Sequence, residues 1–259
     1  MKLKRRQRLG QYRIEAHLSS GGFADVYRAY DTVEGIRVAI KIPQGKLVDA
    51  ETLDTFRREV RTVARLDHPN ILPIKTAGTI DGHFCIVTPL GIESLGDRLQ
   101  RRMARDTAMV FSEQLLEALA FAHKRKIAHL DIKPENMILF PDKRLRLADF
   151  GLARVAQRTL AASGSGTVGY LSPDQALGKP SLRSDVFSAG LILWRLMSGQ
   201  VPEWPFSWPF PGAAKVESKY NPGLIRLVRQ ATYVDDSKRY ASAVPMLAAF
   251  QKLRPKALL

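Results

Sequence analysis

Apolar residues change their period once along this chain, and that change limits the folds open to it. Tyr12 to Leu18, Ala24 to Tyr30 and Ile36 to Ile42 are short runs rich in β-branched and aromatic residues, with glycine-containing connections before the second and third. They predict three strands. One amphipathic helix follows, because Phe56, Val60, Val63 and Leu66 recur at helical spacing. Two further strands are predicted over Ile71–Ala77 and His83–Thr88. Pro89 then interrupts the run, with Gly91 close behind.

Beyond that break the period is helical. Phe111, Leu115, Leu116, Leu119 and Ala122 form a buried stripe along Ala108–Lys124. Val186–Met197 is apolar nearly all round, as for a helix at the centre of a domain. Leu224–Thr232 and Ala243–Leu253 predict later helices, whereas the stretch PEWPFSWPFPG at Pro202–Gly212 holds too much proline for one. The expected class is α+β, with a β-rich lobe at 1–88, a hinge at 89–93 and a helical lobe at 94–259. A deep cleft between two such lobes is where a ligand is expected.

With 259 residues, 45% of them hydrophobic and 25% charged, the chain can bury a core without metals or disulfides. Cys85 is the only cysteine, which suits a reducing compartment. No stretch approaches the ~20 apolar residues of a membrane span, so a cytoplasmic location is expected. An anchor elsewhere in a longer parent protein stays compatible with it. The formal charge of +15 would favour acidic partners, but the basic clusters are scattered and carry few interleaved aromatics. Solvated faces account for them, and nucleic-acid binding is not expected.

Several motifs follow one another in order. Ser19-Ser20-Gly21-Gly22-Phe23-Ala24 joins the first two strands, and by itself a plain hairpin would explain it. Val38-Ala39-Ile40-Lys41 ends the third strand, and Glu59 lies on the next helix. His129-Leu130-Asp131-Ile132-Lys133-Pro134-Glu135-Asn136 comes later, then Asp149-Phe150-Gly151 thirteen residues after Asn136. Gly166-Thr167-Val168-Gly169-Tyr170-Leu171-Ser172-Pro173-Asp174 completes the series. In this order and over about Tyr12–Leu253, the motifs resemble those of protein kinases of the Ser/Thr type, the bacterial eukaryote-like group among them.

That resemblance implies a bilobal kinase fold and transfer of the ATP γ-phosphoryl group to Ser or Thr hydroxyls of a protein substrate. Asp131 would serve the acceptor hydroxyl, Lys133 the charge of the transferring group, and Lys41 paired with Glu59 the α- and β-phosphates. Asn136 and Asp149 would hold Mg2+, with Mn2+ as the alternative. Nucleotide contacts would come from Leu18, Gly21, Gly22, Val26, Ala39, Lys41, Thr88, Leu90 and Ile138. His129 is expected to pack rather than act as a base, and Asp185 to anchor the loop backbone.

Three departures qualify the match. Leu130 stands where many kinases carry an arginine that grips a phosphorylated activation loop, so activity is expected not to depend on that grip. Thr159, Ser163, Ser165 and Thr167 remain candidate phosphosites. Gly21 keeps only the middle glycine of the usual loop, which raises a nucleotide-binding pseudokinase as the alternative. A small-molecule phosphotransferase fits less well, because such enzymes generally lack the Gly166–Asp174 segment. Finally, Trp204, Phe206, Trp208 and Phe210 occupy a short stretch, either packed back on the helices or exposed as a docking patch for a protein.

Overall fold

A computed structural model of the chain describes residues 3–21, 24–43, 50–141, 143–150 and 168–258, without the side chains of 50–53, 55, 56, 59 and 168. The chain forms two compact units, Met1–Asp67 with Leu72–Gly91, and His68–Ile71 with Ile92–Leu259.

In the first unit, six strands form one sheet in the order β1-β2-β3-β4-β6-β5: β1 (Arg8–Leu9), β2 (Tyr12–Ser20), β3 (Ala24–Asp31), β4 (Ile36–Pro43), β5 (Thr76–Ile80) and β6 (His83–Pro89). Neighbours pair antiparallel, with Val26 opposite Lys41, Ala39 opposite Thr88 and Lys41 opposite Ile86. Because side chains alternate along a strand, this register sorts them onto two faces. One face is the core: Tyr27, Ala29, Val38, Ile40, Cys85 and Val87 pack with Leu3, Leu9, Tyr12 and Ile14. Each such large side chain contributes roughly 1.5–3 kcal/mol through burial. The other face carries Val26, Ala39, Lys41 and Thr88, all half-buried. Helix α1 (Ala50–Val63) lies against that second face, where Val60 joins Ala24 and Ile86.

The strand expected over Ile71–Ala77 is shorter and starts later, at Thr76. Pro73 has no N–H to give a ladder. Residues 68–71 are drawn instead to the second unit, where Leu147 N donates to Asn70 O (2.8 Å) and Asn70 Nδ2 to Leu145 O (2.9 Å).

The second unit holds a small sheet, β7 (Glu93–Ser94), β8 (Met137–Phe140) and β9 (Arg144–Leu147), and the helices α2 (Leu95–Arg98), α3 (Arg105–Lys124), α4 (Pro173–Ala176), α5 (Leu182–Ser198), α6 (Ala213–Glu217), α7 (Pro222–Ala231) and α8 (Ala243–Leu253). Helix α3 packs on α8 and α5, and α7 covers α5. From Ser184 to Ser198 every residue of α5 but Arg195 is buried, as its apolar composition predicted. Ser181 caps its N-terminus, and Gly199 ends it at φ +80°, a conformation open to glycine at little cost.

No regular helix forms over 202–212, and its four rings do not make one exposed patch. Phe206 and Phe210 are buried, Trp208 is half-buried, and Trp204 alone stands out at 66% exposure. Phe210 and Trp208 lie edge-on to the buried Trp194, whose indole N–H donates to Pro211 O. Among the described residues no helix is long and apolar enough to cross a membrane.

Candidate active site

The loop 129–136 has no regular secondary structure before its last three residues, so its shape must come from side chains. Asp185, in the first turn of α5 and 1% exposed, supplies most of it. Its carboxylate accepts the backbone N–H of His129 (2.7 Å), the backbone N–H of Leu130 (2.7 Å) and the Nε2–H of His123 (2.9 Å). His123 is oriented in turn by Ala243 N–H donating to its Nδ1 (3.0 Å). A buried carboxylate is costly unless donors surround it, and here three do.

Leu130 is held with φ +63°, unusual for a residue with a branched side chain. Asp185 grips its N–H, while Gln175 of α4 donates Nε2–H to its carbonyl (2.8 Å). Strain of this kind persists only where the surroundings over-determine it. His123 and Gln175 were not singled out in the sequence. A histidine in a helix and a glutamine after Pro-Asp carry no local signal, and only the tertiary contacts reveal them.

His129 is fully buried and uses both ring nitrogens. Its Nε2–H donates to Ala148 O (2.7 Å), and its Nδ1 accepts from Asp131 N–H (3.2 Å). It has no nitrogen left for a substrate proton, and its ring meets Phe150 edge-on at 4.6 Å. It therefore ties the loop to the segment leading into Asp149. The Asn136 carbonyl does similar work, accepting Ala148 N–H (2.8 Å).

The functional groups converge on Asp131. Its Oδ2 lies 2.9 Å from Lys133 Nζ and accepts the Asn136 amide N–H at 2.9 Å. The same amide donates to Asp131 O at 2.8 Å. With its NH2 committed, Asn136 has its side-chain oxygen left to accept. Asp131 Oδ1 has no partner among the described residues, and the side chain is 23% exposed. One face of the carboxylate is thus pinned and the other open. Asp149 follows Ala148 with φ +65°, a second strained residue at this place.

Downstream, Asp174 pairs with Arg239 at 2.7 Å, and it accepts the Ser184 hydroxyl. Burial raises the Asp174 carboxyl, but Ser184 and Arg239 outweigh it and hold the group below the usual carboxylate range. Arg239 is itself buried and donates to the carbonyls of Arg183, Tyr233 and Val234.

In the first unit, Val26, Ala39, Lys41 and Thr88 share one face of the sheet, as described. Leu18 is 47% exposed near the end of β2. Gly21 N–H donates to Ala24 O (2.9 Å) and closes the turn between β2 and β3. A Cβ at Gly21 would meet only that oxygen, at 3.6 Å. Leu90 follows β6 and is half-buried; Ile138 is half-buried in β8 of the second unit. Gly22, Thr159, Ser163, Ser165, Thr167 and the Glu59 side chain lie outside the described residues.

A family model described as a protein kinase domain matches residues 12–240. The chain is 35% identical over 263 residues to the serine/threonine-protein kinase pkn2 of Myxococcus xanthus, covering 90% of this chain and 31% of that protein. It is 32% identical over 267 residues to the serine/threonine-protein kinase PrkC of Bacillus subtilis, covering 92% and 40%. The chain thus spans a third to two fifths of these relatives. A crystal structure of the Mycobacterium tuberculosis PknI kinase domain superposes with a TM-score of 0.73 at 23% identity, over 97% of this chain and all of the other. At that identity the likeness speaks for the fold.

Proposed function

We propose, from the premise that this chain belongs to the protein kinase family, that it transfers the γ-phosphoryl group of ATP to Ser or Thr hydroxyls of a protein. The observation that carries this reading is the Asp131 carboxylate, pinned through Oδ2 by Lys133 and Asn136 with Oδ1 uncommitted. An acceptor hydroxyl hydrogen-bonded to Oδ1 would be oriented for attack and would give its proton to that oxygen. Lys133, already beside the carboxylate, would balance negative charge on the group being transferred.

The Asn136 side-chain oxygen and the Asp149 carboxylate are hard oxygen donors of the kind Mg2+ takes, with Mn2+ as an alternative. Among the described residues no three His, Cys, Asp or Glu side chains form a metal cage, which suits an ion shared with nucleotide phosphates. Bound there, the ion would neutralise phosphate charge. Lys41 is assigned to the nucleotide phosphates, with Glu59 as its partner. Val26, Ala39 and Thr88, on the same sheet face as Lys41, are assigned to the nucleotide with Leu18, Gly21, Gly22, Leu90 and Ile138.

Leu130 supports activity that does not wait for activation-loop phosphorylation, because its fixed position is set by Asp185 and Gln175 rather than by a phosphate. Protein docking, one of the two readings of Trp204–Phe210, narrows to Trp204. Cys85 as a buried free thiol supports a cytoplasmic setting.

The deciding measurement is radiolabel transfer from Mg-ATP to a generic protein acceptor. Asp131→Asn should lower the rate about 10²–10⁴-fold, the usual worth of such a group, with nucleotide affinity unchanged. Equal rates in the two proteins would refute the assignment.

A further inference from the structure

The first unit has a cavity of about 780 Å³ whose wall is unusually basic. Arg5, Arg6, Arg13, Arg28 and Arg37 line it, and the only acid among them is Glu15. These arginines are not a run in the sequence. They come from the N-terminal segment and from β2, β3 and β4, and the register brings them together: Arg13 is opposite Tyr30, which is opposite Arg37. Arg13, Arg28 and Arg37 share the sheet face of Lys41 but lie toward the other end of the strands.

Two features distinguish this wall from a solvated basic surface. First, the charge is not compensated. Glu15 Oε2 serves both Arg28 Nε (3.1 Å) and Arg37 Nε (3.0 Å), and Arg5, Arg6 and Arg13 have no ion-pair partner among the described residues. Arg28 Nε is shut off from solvent, and its approach to Glu15 makes no well-directed hydrogen bond. Second, the wall is held in place. Leu3 is buried, its N–H donates to the Tyr27 hydroxyl, and Arg6 N–H donates to Ile14 O (2.8 Å). Arg6 is kept at φ +70°, a backbone strain that these bonds must offset. Arg13 rests over the Tyr30 ring at 5.2 Å. Glu15 thus positions the Arg28 and Arg37 guanidiniums and Tyr30 that of Arg13, and forks positioned before a ligand arrives lose less freedom on binding and match phosphate oxygens in pairs.

We propose that this cavity is an anion site, separate from the nucleotide contacts, for a ligand carrying phosphoryl groups. Five guanidiniums against one carboxylate, in a space several times that of one phosphate, suit more than one anionic group. The ligand is a phosphorylated Ser/Thr peptide or a small polyphosphate, which present the same chemistry. The proposal goes beyond phosphotransfer and stands whether or not that reading holds.

Calorimetric titration of the 259-residue chain with inorganic triphosphate, without nucleotide or metal, tests it. A peptide bearing two phosphoserines and its unphosphorylated form are the second arm. Expected are saturable binding of triphosphate or phosphopeptide that weakens with salt, and no binding of the plain peptide. Whichever of the two binds more tightly identifies the source. Arg13→Gln with Arg37→Gln should weaken binding about tenfold or more. Glu15→Gln should tighten it several-fold, a gain that partial unfolding cannot imitate, and in Lys41→Met, which removes the nucleotide-phosphate lysine, the binding that depends on Arg13 and Arg37 should persist. No binding by either ligand, loss of binding in Lys41→Met, or indifference to Glu15→Gln would each overturn the proposal. Equal affinity for duplex DNA would do so as well, by reducing the cavity to a generally basic surface.

Discussion

At the scale of single residues, the side chain that shapes the loop is not one of those that would touch substrate. Asp185 contributes its two oxygens to three donors, and two of these are backbone N–H groups with no other partner to turn to. Asp185→Asn keeps the shape but exchanges one acceptor for a donor. We expect it to fold with a loss of about 1–3 kcal/mol in urea unfolding and to lower kcat at least tenfold with nucleotide affinity retained. A variant with full kcat would show that the loop holds its shape without Asp185. Asp174 gives a pH dependence. Its folded-state pKa lies below the ordinary value, so its contribution to stability is complete above the unfolded-state pKa of about 3.9 and is lost as pH falls through the folded value. Melting curves below about pH 4 should therefore fall more steeply for the natural protein than for Asp174→Asn, which starts less stable at pH 7.

At the scale of elements, α5 is the member on which the second unit is assembled. Its N-terminal turn supplies Asp185 and Ser184, its middle is buried on all sides, and its far end meets the Trp208 and Phe210 rings through Trp194. Gly190 lets the end of α7 approach: a Cβ there would lie 2.7 Å from Thr232 Cγ2 and 3.0 Å from Ala231 Cβ. Gly190→Ala gains helix propensity, yet overpacking of this kind costs about 1–3 kcal/mol, and the clash should win. A urea midpoint equal to or above that of the natural protein would contradict this. The five long helices, the central one among them, were legible from periodicity alone, whereas the short α2, α4 and α6 were not. The displaced start of β5 was not, because Ile71 has strand propensity on both sides of the choice. Its pairing with Leu147 depends on Asn70 finding β9 some seventy-five residues away.

At the scale of the whole molecule, the two units have different cores and need not open together. Cys85 reports on the first. It is fully buried, and burial pushes its thiol up to about 12. At pH 8 a water-soluble disulfide reagent should leave it unlabelled in the native protein and label one thiol after denaturation. Its rate should follow opening of the sheet core rather than the concentration of reagent. Rapid labelling of the native chain would mean that this face of the sheet is looser than its packing indicates. The basic cavity belongs to the same unit, so labelling with and without triphosphate also measures how far that ligand steadies the sheet.

The linear order of residues determined the α+β class and the place of most elements, since both follow from local periodicity. It also determined which residue types stand at Lys41, Asp131, Lys133, Asn136 and Asp149, because the spacing within a short loop needs no long-range contact to be read. It left open what the loop rests on and which rings of 202–212 face solvent. It did not show that five arginines from separate segments line one cavity. Only the tertiary structure decided these. Each depends on groups far apart in the chain being brought within about 3–6 Å, and hydrogen bonding, ring packing and charge all act at that range and not along the sequence.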